Sequence, residues 1–162
     1  MSQPVHPDPA IARLLALEDI RVLKHRYIRC MTEGDFDTME TLLTADVETA
    51  YSDGLYTFAN RNDLLAFLRD SHGRNKTEVL GYWHVTMPEI TFQDDNHATG
   101  IWAMYHFYLH KGEQRQEEMF AYYHDEYLCQ DGQWKIRKTG YRRVMEQKLD
   151  RASLPGLNLV VG

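Results

Sequence analysis

Apolar residues recur at spacings of three and four between residues 9 and 31, which is the period of an amphipathic helix. Gly34 suits the left-handed cap that would end this helix. Shorter helices are predicted over residues 35–43 and 60–71. The side of the first helix that we expect to face the core carries Ile11, Leu14, Leu15, Ile20, Leu23, Tyr27 and Met31.

Extended patterns replace the helical spacing in the second half of the chain. Two short strands, 47–51 and 55–58, are predicted to form a hairpin, and Asp131-Gly132 is a strong hairpin turn. Helices followed by a long antiparallel meander indicate an α+β fold. We expect the N-terminal helices to pack on the concave face of a curved, mostly antiparallel sheet and to enclose a pocket. The long strands are predicted at 81–92, 97–110, 115–129 and 133–146.

The stretch 98–108, ATGIWAMYHFY, is the strand on which the chemistry depends most. Alternation puts Gly100, Trp102, Met104, His106 and Tyr108 on one face. Because the other face is also apolar, we expect the strand to be covered on both sides. A titratable imidazole in an apolar wall is typical of a small-molecule site. A core histidine with a local hydrogen-bond partner explains the pattern equally well.

Composition excludes several functional classes. The chain is 43% hydrophobic and 26% charged with a net charge of −6, so it has no basic surface for nucleic acid. No apolar run approaches the roughly 18 residues that span a bilayer, and the first ten residues lack signal-peptide features. Cys30 and Cys129 match no metal or redox spacing, which favours a reduced, cytoplasmic setting.

The chain length of 162 residues indicates one domain, which we place at 10–148. Residues 1–9 hold three of the five prolines and are expected to form a flexible lead-in, and 149–162 are expected to form a tail.

Four segments together resemble a known family: 23–43, 44–54, 83–102 and 131–144. In this order and spacing they resemble the SnoaL-like branch of the nuclear-transport-factor-two-like superfamily, nearest to the bile-acid dehydratases and scytalone dehydratases. The resemblance implies a cone-shaped α+β barrel. It does not decide the function, because the superfamily also contains binding modules and non-catalytic subunits.

The resemblance implies roles for three residues in catalysis. Tyr27 matches the tyrosine of helix one in the bile-acid dehydratases and would donate a hydrogen bond to a substrate oxygen. His84 lies close to the strand histidine of both dehydratase types and would be the general base, although its spacing to Pro88 is one residue short. His106 matches the second histidine of the scytalone dehydratases and would protonate a departing hydroxyl. Packing roles remain open for each of the three.

Further residues are predicted to contact the substrate. Thr32 stands where both dehydratase types have a carboxylate, and Asp35 lies just beyond it as an uncertain substitute. The face of the strand that carries His106 adds Trp102 and Met104, and the neighbouring strands add Tyr123, Asp125 and Tyr141. Sheet packing is an equally good explanation for the last three.

Two other kinds of chemistry are disfavoured. His84 and His106 with Asp125 or Asp35 would make a site of two histidines and one carboxylate for a metal, but no close ligand pair supports it. Cys30 lies near the expected pocket face, without a nucleophile motif around it.

The sequence therefore predicts a lyase or isomerase that uses no cofactor or metal. Its expected substrate is a hydrophobic oxygenated molecule such as a steroid, polyketide or aromatic ketone. Two alternatives remain open: a non-catalytic small-molecule-binding domain and a small structural subunit of an oxygenase. A homodimer or homotrimer is expected, because curved sheets of this family usually present their convex face to another subunit.

Overall fold

A computed structural model describes residues 8–72, 78–154, 156 and 158. The expected flexible lead-in at 1–9 and the last part of the expected tail lie mostly outside these residues. The helices are α1 (Pro9–Glu33), α2 (Phe36–Leu42) and α3 (Arg61–Ser71), and a 3-10 turn spans Arg151–Ser153. The strands are β1 (Leu43–Tyr51), β2 (Tyr56–Phe58), β3 (Val79–Phe92), β4 (His97–His110), β5 (Arg115–Gln130) and β6 (Gln133–Asp150).

The three helices pack against one curved, open sheet with the strand order β2-β1-β6-β5-β4-β3. Strands β3 to β6 form the predicted antiparallel meander, and β1 pairs with β2 in the predicted hairpin. The pairing of β1 with β6 is parallel, which the sequence did not indicate. The cone-shaped α+β fold is confirmed. No helix in the described part of the chain has the length and apolarity to cross a membrane.

Helix α1 begins and ends where its caps dictate. The Asp8 carboxylate accepts a hydrogen bond from Ala10 N at 2.8 Å, Pro9 occupies the first turn, and Gly34 takes the left-handed conformation at φ 72°. The second half of the helix buries its predicted core face against the sheet. The first turns do not, because no described element covers them: Ile11, Leu14 and Leu15 are 53–65% exposed.

Strand β4 has the predicted inward face. Gly100, Trp102 and Met104 are buried on this face. The outer face is only half buried, so the expected cover on both sides of this strand is incomplete. Tyr105 and Phe120 pair on that outer face with ring centroids 5.3 Å apart.

A bulge in β3 controls which side chains point inward. The register with β4 shifts between Thr86 and Glu89, and Met87 lies in the left-handed region at φ 49°. Before the bulge, Trp83 and Val85 are buried and the residue between them, His84, is exposed.

Candidate active site

A cavity of about 320 Å³ lies between the ends of α1 and α3 and the concave face of the sheet. Its apolar wall is built from all these elements and includes Met31, Phe67, Trp83 and Met119. The polar groups of the lining are two imidazoles, several hydroxyls and two carboxylates. An apolar cavity with a few convergent polar groups is the usual form of a small-molecule site.

His106 provides the first imidazole. It lies directly opposite Trp83 across the β3–β4 ladder, and the two rings stack with centroids 4.6 Å apart and planes 19° apart. The indole fits because residue 81 is glycine: a Cβ at Gly81 would lie 2.5 Å from the Trp83 ring. His106 Nε2 is buried without a hydrogen-bond partner in the described part of the chain. Burial, with a smaller effect from His72, lowers the pKa of His106 to about 4.

His72 provides the second imidazole, a residue that no sequence pattern marked as part of a site. It caps the C-terminus of α3, and its ring lies 5.6 Å from Trp83 and 6.4 Å from Tyr108 between centroids. Nδ1 is 2.7 Å from Ser71 Oγ, and that hydroxyl donates to Phe67 O at 2.7 Å. Burial lowers the pKa of His72 to about 4, so both imidazoles are neutral at pH 7.

Among the residues with hydroxyls that line the cavity, Tyr51, Tyr141 and Ser52 lie close together where the end of β1 meets β6. Tyr51 Oη lies 2.5 Å from Tyr27 Oη, and Tyr141 Oη lies 2.8 Å from Ser52 Oγ. Burial is the main reason why the pKa values of Tyr27, Tyr51 and Tyr141 lie above their usual range, so all three keep their protons at neutral pH. Tyr27 is fully buried and does not line the cavity; it reaches the cavity through Tyr51.

Behind the cavity wall lies a buried ion pair. Lys24 Nζ is 2.7 Å from Asp125 Oδ2, and both side chains are fully buried. Asp125 also accepts hydrogen bonds from Tyr127 Oη and Thr139 Oγ1, each at 2.7 Å. The Lys24 ammonium lies 3.5 Å from the centroid of the Tyr123 ring. Burial lowers the pKa of Lys24, and Asp125 opposes this effect.

Two carboxylates also line the cavity, and both are paired. Glu117 lies 3.1 Å from Arg115 Nε and 3.5 Å from Lys148 Nζ. Glu146 lies 3.0 Å from Arg143 and 3.3 Å from the same lysine. Within the described ranges, no lysine or arginine lines the cavity. An anionic ligand would therefore meet carboxylates and no free cation.

The predicted site residues fall into three groups. The lining residues are His106, Tyr123 and Tyr141. Four others lie in the core behind them. Tyr27 and Asp125 make the contacts described above. Trp102 donates a hydrogen bond to Tyr127 Oη at 2.8 Å, and Met104 belongs to the apolar core.

The third group lies away from the cavity. Thr32 donates its hydroxyl to Ile28 O at 3.2 Å, and Asp35 is exposed and caps α2 through Thr38 N at 3.1 Å. His84 is exposed on the outer face of β3, so the structure does not bring it together with His106. The role implied by the family resemblance would need His84 inside the cavity, but in β3 the inward positions before the bulge are those of Trp83 and Val85.

Metal and thiol chemistry find little support in the described residues. No group of three or more His, Cys, Asp or Glu side chains lies close enough together there to hold a metal ion. Cys30 is buried and free, and burial raises the pKa of its thiol, which disfavours the nucleophilic thiolate.

Comparison with known proteins gives one family and several similar structures. The sequence model of the SnoaL-like domain matches residues 12–140. A LinA type 2 hexachlorocyclohexane dehydrochlorinase is 16% identical with a TM-score of 0.80, over 94% of this chain and 97% of that one. A LinA type 3 enzyme from Novosphingobium barchaimii LL02 is 17% identical with a TM-score of 0.78, over 94% and 99%. A candidate scytalone dehydratase from Novosphingobium aromaticivorans is 17% identical with a TM-score of 0.75, over 85% and 90%.

Proposed function

Because the chain belongs to the SnoaL-like domain family, as its sequence resemblance predicted, we propose that it is a lyase or isomerase that uses no cofactor. The reaction is proton transfer at carbon next to a carbonyl group, followed by loss of water or movement of a double bond. The observation that carries the proposal is His106, whose buried Nε2 at the wall of an aromatic cavity has no hydrogen-bond partner among the described residues. Buried polar atoms without partners are rare and costly in proteins, so such an atom calls for a functional explanation.

The tyrosine hydroxyls are the groups that hold the carbonyl oxygen. Within the described residues, Tyr27 Oη has one hydrogen-bond partner, Tyr51 Oη. If Tyr27 donates to Tyr51, the Tyr51 proton is free for a ligand and the two hydrogen bonds strengthen each other. A donor aimed at an oxygen that gains negative charge is worth about 3–4 kcal/mol of barrier. Tyr141 lines the same part of the cavity and adds a second hydroxyl.

The imidazole of His106 serves the departing oxygen. It is neutral at pH 7, so it can offer a hydrogen bond from one nitrogen without bringing a charge into the cavity. The stacked Trp83 and the other aromatic walls exclude water and restrict the orientation of the substrate.

The substrate class follows from the lining. Apolar walls, neutral imidazoles and the absence of a lining cation in the described ranges favour an uncharged, hydrophobic molecule with at least two oxygens. A cavity of about 320 Å³ suits a compact ring system, such as a polyketide or aromatic ketone or part of a steroid. We also propose the homodimer or homotrimer expected for curved sheets of this kind.

A non-catalytic binding domain is the second candidate. Thr32 replaces the carboxylate of the two dehydratase types, and its hydroxyl is used within α1. His84, the expected base, is exposed. Both observations favour a cavity that holds a ligand without changing it.

Turnover separates the two functions. The purified protein would be incubated with a panel of β-hydroxy ketones built on steroid and polyketide ring systems, and loss of water would be followed by mass spectrometry. We expect turnover that His106→Gln lowers and that His97→Gln leaves unchanged, since His97 is the exposed first residue of β4 and pairs with Asp94. Ligand binding without any turnover across the panel would favour the binding domain.

A further inference from the structure

The proposed reaction needs a base, and the residue expected in that role does not reach the cavity. His84 lies on the outer face of β3, and at the inward position beside it stands Trp83, which cannot accept a proton. Two imidazoles line the cavity within the described ranges, His72 and His106. The lining carboxylates Glu117 and Glu146 are held in ion pairs with Arg115, Arg143 and Lys148. The base is therefore to be sought in the pair of imidazoles.

Hydrogen bonding distinguishes the two imidazoles. A hydroxyl has a single proton, and Ser71 Oγ lies 2.7 Å from Phe67 O, an atom that only accepts. Ser71 must therefore give its proton to Phe67 O and accept one from His72 Nδ1, also at 2.7 Å. In the neutral ring, His72 then carries its proton on Nδ1 and a free lone pair on Nε2. In the part of the chain that the structure describes, His106 Nε2 has no hydrogen-bond partner that would fix its tautomer in this way.

We propose that His72 is the catalytic base of the cavity, with Ser71 as the residue that positions it. The inference rests on the proposed function and adds the identity of the proton acceptor. A base whose second nitrogen is bound by an orienting group is the arrangement found in other imidazole-dependent enzymes. Here the orienting group is the hydroxyl of Ser71, itself bound to the backbone of α3, and not a carboxylate.

The step balances without another reactant. The C–H bond next to the carbonyl breaks, and its proton moves to His72 Nε2. The electron pair of that bond forms the new C=C bond as the C–O bond at the next carbon breaks. The departing hydroxyl takes the proton back from His72 Nε2 and leaves as water, which restores the neutral imidazole. Tyr51 holds the carbonyl oxygen, and His106 holds the departing oxygen during the transfer.

The first test observes the tautomer directly. Full-length protein labelled with nitrogen-15 at histidine would be studied at pH 7 by long-range proton–nitrogen correlation spectra. We expect His72 to have a protonated Nδ1 and a bare Nε2. Ser71→Ala should give a mixture of tautomers, and Ser71→Thr, which keeps a hydroxyl, should restore the single form. A proton on His72 Nε2 in the unchanged protein would overturn the proposal.

The second test measures how fast the protein removes a proton from carbon. The exchange of the acidic C–H protons of 2-tetralone in deuterated water would be followed by proton NMR at pH 7. We expect catalysed exchange that falls at least ~100-fold in His72→Gln, the lower range for loss of a general base. Ser71→Ala should reduce the rate, Ser71→Thr should recover it, and His97→Gln should leave it unchanged.

The outcomes separate this inference from the proposed function. Exchange that survives in a folded His72→Gln variant but disappears in His106→Gln would overturn the role of His72 and leave the lyase proposal standing. Should His72→Gln fail to fold, Ser71→Ala decides, because an unchanged exchange rate in that variant contradicts the positioning role. Absence of exchange above the buffer rate in the unchanged protein would overturn both proposals.

Discussion

Replacing Lys24 by methionine would test the buried ion pair behind the cavity. Methionine fills a similar volume, so the change removes the charge with little loss of packing. Asp125 would remain buried with its two hydrogen bonds from Tyr127 and Thr139, but without the ammonium 2.7 Å away. Breaking a buried pair by removing one partner costs about 3–5 kcal/mol, because an uncompensated charge stays behind.

We expect Lys24→Met to lower the free energy of unfolding by about 3 kcal/mol, the lower limit of this range, because two charge-assisted hydrogen bonds still stabilise the carboxylate. Asp125→Asn should cost about 1 kcal/mol more, because an amide offers one oxygen to two hydroxyl donors and leaves Lys24 unpaired. In a domain of this size, 3 kcal/mol corresponds to a fall in Tm of roughly 6–12 °C.

Urea unfolding at pH 7 would measure these free energies, with Lys138→Met as the matched control. Lys138 is partly exposed and lies 3.5 Å from Glu126, so its removal should cost less than about 1 kcal/mol. The double variant of Lys24 and Asp125 should lose at least about 1 kcal/mol less than the sum of the single losses. A loss below about 1 kcal/mol for Lys24→Met, or strictly additive losses, would show that Lys24 and Asp125 do not stabilise each other in the folded protein.

Three further predictions concern the cavity. The pKa values of His72 and His106 lie near 4 in the folded protein, whereas histidine in an unfolded chain titrates near 6.5. As the pH falls, the unfolded chain therefore binds protons first. The free energy of unfolding should hold above pH 6.5 and fall between pH 6.5 and 4, by up to roughly 3 kcal/mol for each ring. Urea unfolding at pH 7 and 4.5 measures this, and an identical fall in the double His→Gln variant would contradict it. Gly81→Ala should cost about 1–3 kcal/mol and shift the fluorescence of Trp83, since its Cβ would lie 2.5 Å from that ring; an unchanged Tm and emission would count against this packing. His84→Ala should keep turnover and exchange within about twofold, whereas loss of most activity would restore the assignment made from the family resemblance.

Local patterns predicted the elements well because local chemistry determines them. The Asp131-Gly132 turn joins β5 and β6 as expected, with both residues at positive φ. Gly34 ends α1, and the alternation along β4 turns Trp102 and Met104 inward. The parallel contact of β1 with β6 joins distant segments, so no local pattern could indicate it.

Periodicity identifies an apolar face but not whether another element covers it. Leu14 and Leu15 follow the helical period and are nevertheless exposed. Lys24 illustrates the converse case. It is fully buried, and its spacing of four from Ile20 and three to Tyr27 places it on the apolar face of α1, an indication that the sequence did contain.

The site was harder to predict because it depends on which residues of each strand point inward and on contacts between distant elements. His106 lines the cavity as the alternation of β4 indicated. His84 does not line the cavity. The bulge at Met87 changes which residues of β3 point inward, and the family resemblance alone could not reveal that bulge. His72 follows the last turn of α3, where no periodic pattern applies, and only the packing of that helix against the sheet brings it to the cavity.

A crystal structure after soaking with 2-tetralone and a panel of steroid and polyketide ketones would show directly whether the cavity is the active site. We expect a ligand in the cavity, with its carbonyl oxygen about 2.6–3.2 Å from the hydroxyl of Tyr51 or Tyr141 and its acidic carbon facing His72. A ligand bound beside His84 on the outer face, or a cavity filled by its own side chains, would contradict it.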